Sequence, residues 1–368
     1  MFIYHYRAGI KNITNQHQTL AVFCPTVLCT ADIFLTAEKE PSINLGGVLP
    51  SINSNYRVGA GPYFIAESCE YFDSFLKFHP YIGVILNIES DHLDYFKDLS
   101  HIETSFRGFA QNIEQSGALI INHDTLHLEE LTAGLVCRVV TFGAEQADYH
   151  AANVAYDEEG FASFDVLFKG EKLTRLSLKM CGAHNIMNAL AALAVAREAG
   201  IDVAVIKTAL EKFQSTKRRY EWKGQVRGVS IYDDYAHHPT EIEATLSAAK
   251  NSRHNKLYCV FQPHTYTRTK LLKEAITQSF DKADCVVLVD IYAAREVDAG
   301  DIHARDLLDG IRSRGIEAYY CESFAEAETL LAKKCIQGDL LITMGAGDVH
   351  LIGETLLHTG LSTLSTAP

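Results

Sequence analysis

Short apolar runs bounded by turn residues alternate with longer amphipathic stretches along most of the chain, the pattern of an α/β protein built on parallel strands. YFIAES (63–68), YIGVILNI (81–88) and ALIIN (118–122) predict short buried strands, and HNIMNALAALAVAREAG (184–200) predicts an alanine-rich helix closed by Gly200. After the basic cluster at 217–219 the alternation restarts. GVSIYDD predicts a strand feeding a helix from Pro239, KLYCVF a strand before a helix from about Leu271, and DCVVLVDI a strand before a helix near 303–314. EAYYC, the helix SFAEAETLLAKK and the strand DLLITMG complete the series. A domain boundary is expected near residue 216, with a parallel-sheet domain before it and a Rossmann-like domain after it.

Composition narrows the partners. The chain has 368 residues, 47% of them hydrophobic and 21% charged, an ordinary globular balance. A formal net charge of -13 argues against general nucleic-acid binding, which leaves only local basic clusters of interest. Nine cysteines without a C-x-x-C pair fit reduced, mostly buried thiols in a cytoplasmic protein. No apolar run is long enough to span a bilayer. Arg7 and Lys11 before TLAVFCPTVLCTA loosely imitate a signal peptide, but the polar stretch KNITNQHQ separates charge from apolar run, so a disturbed or buried strand is expected there.

Polar clusters follow several of the expected strands. Glu67 and Glu70 follow YFIA, and Glu89, Asp91, His92 and Asp94 follow YIGVIL, at the carboxyl strand ends where open parallel sheets gather ligands. Carboxylate oxygen suits Mg²⁺ and an imidazole also admits Mn²⁺, while the plainer alternative is that these acids cap helices. His184, Asn185 and Asn188 open a helix, where the amides could read a purine edge or simply cap and pack. Lys217, Arg218 and Arg219 sit at the expected hinge, and paired guanidiniums suit phosphate, against the alternative of a solvated turn. IYDDYAHHPTEI (231–242) places Asp233, Asp234, Tyr235, His237 and His238 at a strand-to-helix junction, and QPHTYTRTK (262–270) adds His264, Arg268 and Lys270 at the next. GAGDVH (345–350) has His350 where a dinucleotide fingerprint has its third glycine, so it is read as a tight turn.

NLGGVL, GPYFIAESCEY, NIESDHLDYF, GAHNIMNALAA, STKRRYEWKG, DDYAHHPTEI, FQPHTYTRTK and MGAGD, in this order over about residues 42 to 353, resemble the Mur ligase family. The resemblance implies a disturbed N-terminal segment (1–41), a central ATP-binding domain (42–216) and a C-terminal amino-acid-binding domain (217–368). It implies ATP-dependent joining of L-alanine to UDP-N-acetylmuramate through an acyl phosphate, in cytoplasmic peptidoglycan synthesis, with Mg²⁺ (Mn²⁺ also admissible). By motif, Glu67 and His92 would hold the metal, and His184, Asn185 and Asn188 would lie by the nucleotide. Arg218 and Arg219 would meet phosphate, and Asp234, Tyr235, His237, His238, His264 and Arg268 would line the amino-acid side, with His238 and Arg219 nearest the chemistry. Some relatives carry arginine where Thr265 stands, which leaves Arg268 to meet the carboxylate.

One departure changes the expectation. The family enters its central domain through a glycine-rich loop ending in Gly-Lys-Thr, whose N–H groups and lysine hold phosphates. Here that span is LAVFCPTVLCTADIFLTAEK, with no glycine and no lysine before Lys39, and Pro25 has no N–H to offer. The sugar-binding domain is also expected to be missing, as in a shortened or frame-disturbed reading of a ligase gene. Turnover by the chain alone is therefore not expected. The alternatives are a non-catalytic remnant or binding module, and a related ligase that recycles a peptide onto the same UDP-sugar.

Overall fold

A computed structural model of the chain describes residues 18–22, 26–90, 95–214 and 217–360. The chain divides into two compact units, Met1–Ala155 with Ala162–Lys179 and His184–Gln214, and Tyr156–Phe161 with Met180–Ala183 and Ser215–Pro368. Arg7, Lys11, Pro25, Asp91, His92 and Asp94, named above, lie outside the described residues.

The first unit is organised by a sheet of β1 (Gln18–Val22), β2 (Ser42–Leu49), β3 (Ser54–Arg57), β4 (Tyr63–Glu67), β5 (Ile82–Ile85), β6 (Ala118–Asn122), β7 (Arg138–Gly143), β8 (Tyr149–Tyr156), β9 (Phe161–Phe168) and β10 (Glu171–Cys181). Their spatial order is β10-β9-β8-β7-β6-β5-β1-β4-β2-β3. The centre is parallel, with β1 between β4 and β5, while β2 and β3 form an antiparallel edge. TLAVFCPTVLCTA, expected as one strand, is instead β1 followed by the helix Thr26–Thr36. Residues 26–31 are all buried, the threonines included, so the run is buried on every side and its periodicity does not separate helix from strand. The helix Ala183–Glu198 is likewise buried from Ile186 through Ala196 apart from Met187, and its alanines permit close approach of its neighbours.

The second unit has β11 (Glu221–Val226), β12 (Val229–Asp234), β13 (Leu257–Phe261), β14 (Cys285–Leu288), β15 (Glu317–Tyr320) and β16 (Leu340–Met344) in the order β11-β12-β16-β13-β14-β15. All neighbours pair in parallel except β11 with β12. Alternate residues feed opposite cores: Cys259, Phe261, Val286, Leu288, Ile342 and Met344 on one face, Tyr258, Val260, Cys285, Val287 and Leu341 on the other. That is the period of two in strands covered on both sides. Helix Pro239–Ala249 packs on the first face and helices Phe324–Lys334 and His350–Thr359 on the second. The chain runs outward from β12 through β13 and β14 to β15, then returns to place β16 between β12 and β13, so the helix changes face where the direction reverses, as right-handed crossovers require.

The α/β class and the Rossmann-like second half stand as the sequence implies. The helix expected from about Leu271 is two short helices, Tyr266–Leu271 and Lys273–Gln278, broken at Leu272. No disulfide joins the described cysteines; Cys69 is exposed and the others described are buried. Among the described residues no helix is long and apolar enough to cross a membrane.

Candidate functional site

In the second unit the carboxyl ends of β12, β13 and β16 come together where the strand order folds back, the position at which open α/β sheets present ligand-binding residues. Asp234 ends β12. Its Oδ2 accepts the Tyr220 N–H at 2.7 Å and its Oδ1 the Ala236 N–H at 2.7 Å, so one carboxylate joins the basic segment to the loop after β12. Burial pushes its pKa up to about 6 against the pull of Arg219 and the two N–H groups. Asp233, fully buried, accepts from Arg218 Nε at 3.0 Å and Thr343 Oγ1 at 2.7 Å, and burial raises its pKa too.

Arg218 also donates to the Gly345 carbonyl at 2.6 Å and lies 4.9 Å from the Tyr235 ring centre, which makes it a strut among β12, β16 and the loop. Arg219 lies 5.9 Å from the same ring and 3.5 Å from Glu241. His237 Nδ1 lies 3.0 Å from the Tyr235 carbonyl, and His238 begins the helix through Pro239, with Nδ1 3.3 Å from Thr240 Oγ1.

His264 follows β13. Its ring is 5.4 Å from that of His237 and stacks on Tyr292 at 5.7 Å, while its Nδ1 lies 3.1 Å from Arg268 Nη1. Burial first, then His237 and Arg268, lower its pKa to about 4. Thr265 adopts φ +65° and its side chain caps Arg268 N–H. The GAGDVH turn holds this edge: Gly345 takes φ +145°, and Gln262 Oε1 accepts Val349 N–H at 3.2 Å while its Nε2 donates to Asp348 at 3.0 Å. Asp234, Tyr235, His237, His238, His264, Arg268, Arg218 and Arg219 thus occupy one end of one sheet. Glu241, Gln262 and Tyr292 join them without having been singled out in the sequence; Glu241 stands inside DDYAHHPTEI, where its spacing from Pro239 gave the only available sign.

A separate polar cluster lies in the first unit. Val22 at the end of β1 is in register with Glu67 at the end of β4. Glu67 Oε2 accepts the Gly46 N–H at 2.6 Å, and a Cβ at Gly46 would stand 2.9 Å from that oxygen, so only glycine admits this approach. Thr26 Oγ1 donates to Asn188 Oδ1 at 3.0 Å, Asn188 Nδ2 to Asn185 Oδ1 at 3.1 Å, and Asn185 Nδ2 lies 3.1 Å from His184 Nε2. Among the described residues no three His, Cys, Asp or Glu side chains gather as a metal cage. A Mg²⁺ ion needs fewer, because one or two carboxylates and substrate phosphates suffice, and the oxygen donor of Glu67 fits that chemistry.

Two mostly parallel-sheet units with polar side chains gathered at carboxyl strand ends place the chain in the α/β class, with the second unit's site where such sheets bind ligands. Residues 59–196 match the Mur ligase middle domain and residues 218–347 the Mur ligase, glutamate ligase domain. The UDP-N-acetylmuramate–L-alanine ligase of Agathobacter rectalis is 47% identical over 333 residues, covering 90% of this chain and 72% of that protein. That of Acetivibrio thermocellus is 44% identical over 327 residues, covering 88% and 70%. The crystal structure of the UDP-N-acetylmuramate–alanine ligase of Thermotoga maritima superposes with a TM-score of 0.80 at 26% identity, covering 97% of this chain and 78% of that one. The chain belongs to the Mur ligase family, a family of ATP-dependent carbon–nitrogen ligases.

Proposed function

We propose that the chain is by descent a ligase that joins L-alanine to UDP-N-acetylmuramate in cytoplasmic peptidoglycan synthesis. It keeps the amino-acid side of that reaction and lacks the phosphate-holding loop needed for turnover unaided. In this reading residues 42–216 are the ATP-binding domain and 217–368 the amino-acid-binding domain. The relatives' shared activity supports the substrates. The observation that carries the amino-acid side is the convergence of His237, His264 and Arg268 beside Asp234 at one sheet end.

The reaction class makes the roles concrete. ATP would phosphorylate the muramic carboxylate, the alanine amine would attack the acyl phosphate, and phosphate would leave with the C–O bond broken and the amide formed. Arg268, with His264 held neutral beside it, would receive the alanine carboxylate as a charge-assisted pair. His238 would face the reacting centre, with Tyr235 and His237 at the pocket rim, and Arg219 would face the phosphoryl oxygens on which charge builds up. Glu67 and His92 would hold Mg²⁺, which supplies charge neutralisation for phosphate, and His184, Asn185 and Asn188 would lie by the nucleotide.

The non-catalytic alternative is favoured by a specific feature. Only Phe23, Cys24 and Pro25 stand between β1 and the helix that begins at Thr26, and none is glycine or lysine. A phosphate cradle needs several convergent N–H groups and a cation, and proline supplies neither. Calorimetric titration of the purified chain with MgATP tests this. The expected affinity is at least about 100-fold weaker than that of the Agathobacter rectalis ligase, the loss of roughly two charge-assisted phosphate contacts. Equal affinities would overturn the reading of the loop.

A further inference from the structure

Glu241 stands at the third position of helix Pro239–Ala249, where an acidic side chain ordinarily only caps the helix. Here it does more. Its Oε2 accepts the His237 N–H at 3.1 Å and the His238 N–H at 3.3 Å, and the same oxygen lies 3.5 Å from His237 Nδ1. Its Oε1 lies 3.5 Å from Arg219 Nη1. A single carboxylate therefore touches both the basic segment that precedes β11 and the loop that follows β12. Burial pushes the Glu241 pKa up, but His237, Arg219 and the two N–H groups outweigh it and hold the carboxyl below its ordinary range.

We infer that Glu241 is a positioning residue that locks Arg219 to His237 and sets the charge on the His237 ring, so that the phosphate-facing cation and the rim of the amino-acid pocket are placed together. This rests on the roles proposed above for Arg219 and His237. Other described groups also face or adjoin His237. Tyr235 presents a ring edge-on at 5.6 Å, and His264, at 5.4 Å, is buried beside Arg268 and disfavours a second positive charge. Asp234 is turned to the Tyr220 and Ala236 N–H groups. Glu241 is an anion within reach of both Arg219 and His237.

The test is the pH titration of the His237 ring in the full chain, followed by NMR with ¹³C-labelled histidine and assigned with His237→Gln. Glu241→Gln keeps an oxygen that can accept the cap hydrogen bonds and removes the charge. It is expected to lower the His237 midpoint by about one pH unit, about tenfold in proton affinity, as loss of a near opposite charge does. Glu241→Asp is expected to restore about half of that shift, but not all of it. A folded Glu241→Gln protein with an unmoved His237 midpoint would overturn the inference, because a role confined to capping leaves the ring's proton affinity alone. Should Glu241→Gln fail to fold, Glu241→Asp decides, since withdrawing the carboxylate by one methylene must lower the midpoint measurably. The titration needs neither ATP nor turnover, so a failure of the proposed function and a failure of this inference are read separately.

Discussion

At the residue scale the second unit's site is governed by burial acting on charge. The His264 pKa is lowered from 6.5 to about 4, so the folded unit keeps the ring neutral where an unfolded chain protonates first. A depressed folded value gives stability that is present above pH 6.5 and lost as pH falls toward 4. Asp234 has the opposite sign: its pKa rises from 3.8 to about 6, so its contribution is present below 3.8 and lost as pH rises through about 6. The two slopes oppose each other in one window. His264→Gln is therefore predicted to lose less thermal stability than the unsubstituted protein on going from pH 7 to pH 5. Equal losses in melting experiments would contradict the assignment of that slope to His264. Which residues cluster was legible in DDYAHHPTEI and QPHTYTRTK, because strand-end loops that carry histidine and arginine have few structural uses. The role of Glu241 was not, since its bonds to Arg219 and His237 join segments that only the fold brings together.

At the element scale the site depends on how closely strand ends and turns approach. Gly347 lies in the turn after β16, where an added Cβ would stand 2.2 Å from Gln262 Oε1 and 2.7 Å from Tyr292 Cγ. Gly347→Ala is predicted to destabilise the protein by about 1–3 kcal/mol through overpacking, seen as a lower urea midpoint with an unchanged slope. A midpoint equal to that of the parent protein would contradict the crowding. The strands β4, β5, β6, β12, β13 and β16 were legible because each is a compact apolar run. β8, β9 and β10 were not, since exposed and buried positions mix along them without a clean alternation. The helix at Thr26 was hidden for the converse reason, since burial on every side erases the period that distinguishes it.

At the scale of the whole molecule, the family is settled by the order of the motifs and by relatives that align over about nine-tenths of the chain. In the first unit Glu67 lies in register beside the end of β1, and Asn188 is bonded to Thr26 at the start of the helix Thr26–Thr36. A strand-and-helix scaffold does not by itself carry a function, so the fold can persist whatever its connecting loop binds. The most direct measurement is mass-spectrometric detection of UDP-N-acetylmuramoyl-L-alanine after incubating the purified, folded chain with ATP, Mg²⁺, L-alanine and UDP-N-acetylmuramate, beside the active Agathobacter rectalis ligase. The account predicts product from the relative and none from this chain. Product from this chain that depends on all three substrates would contradict it, and would mean that other groups hold the ATP phosphates.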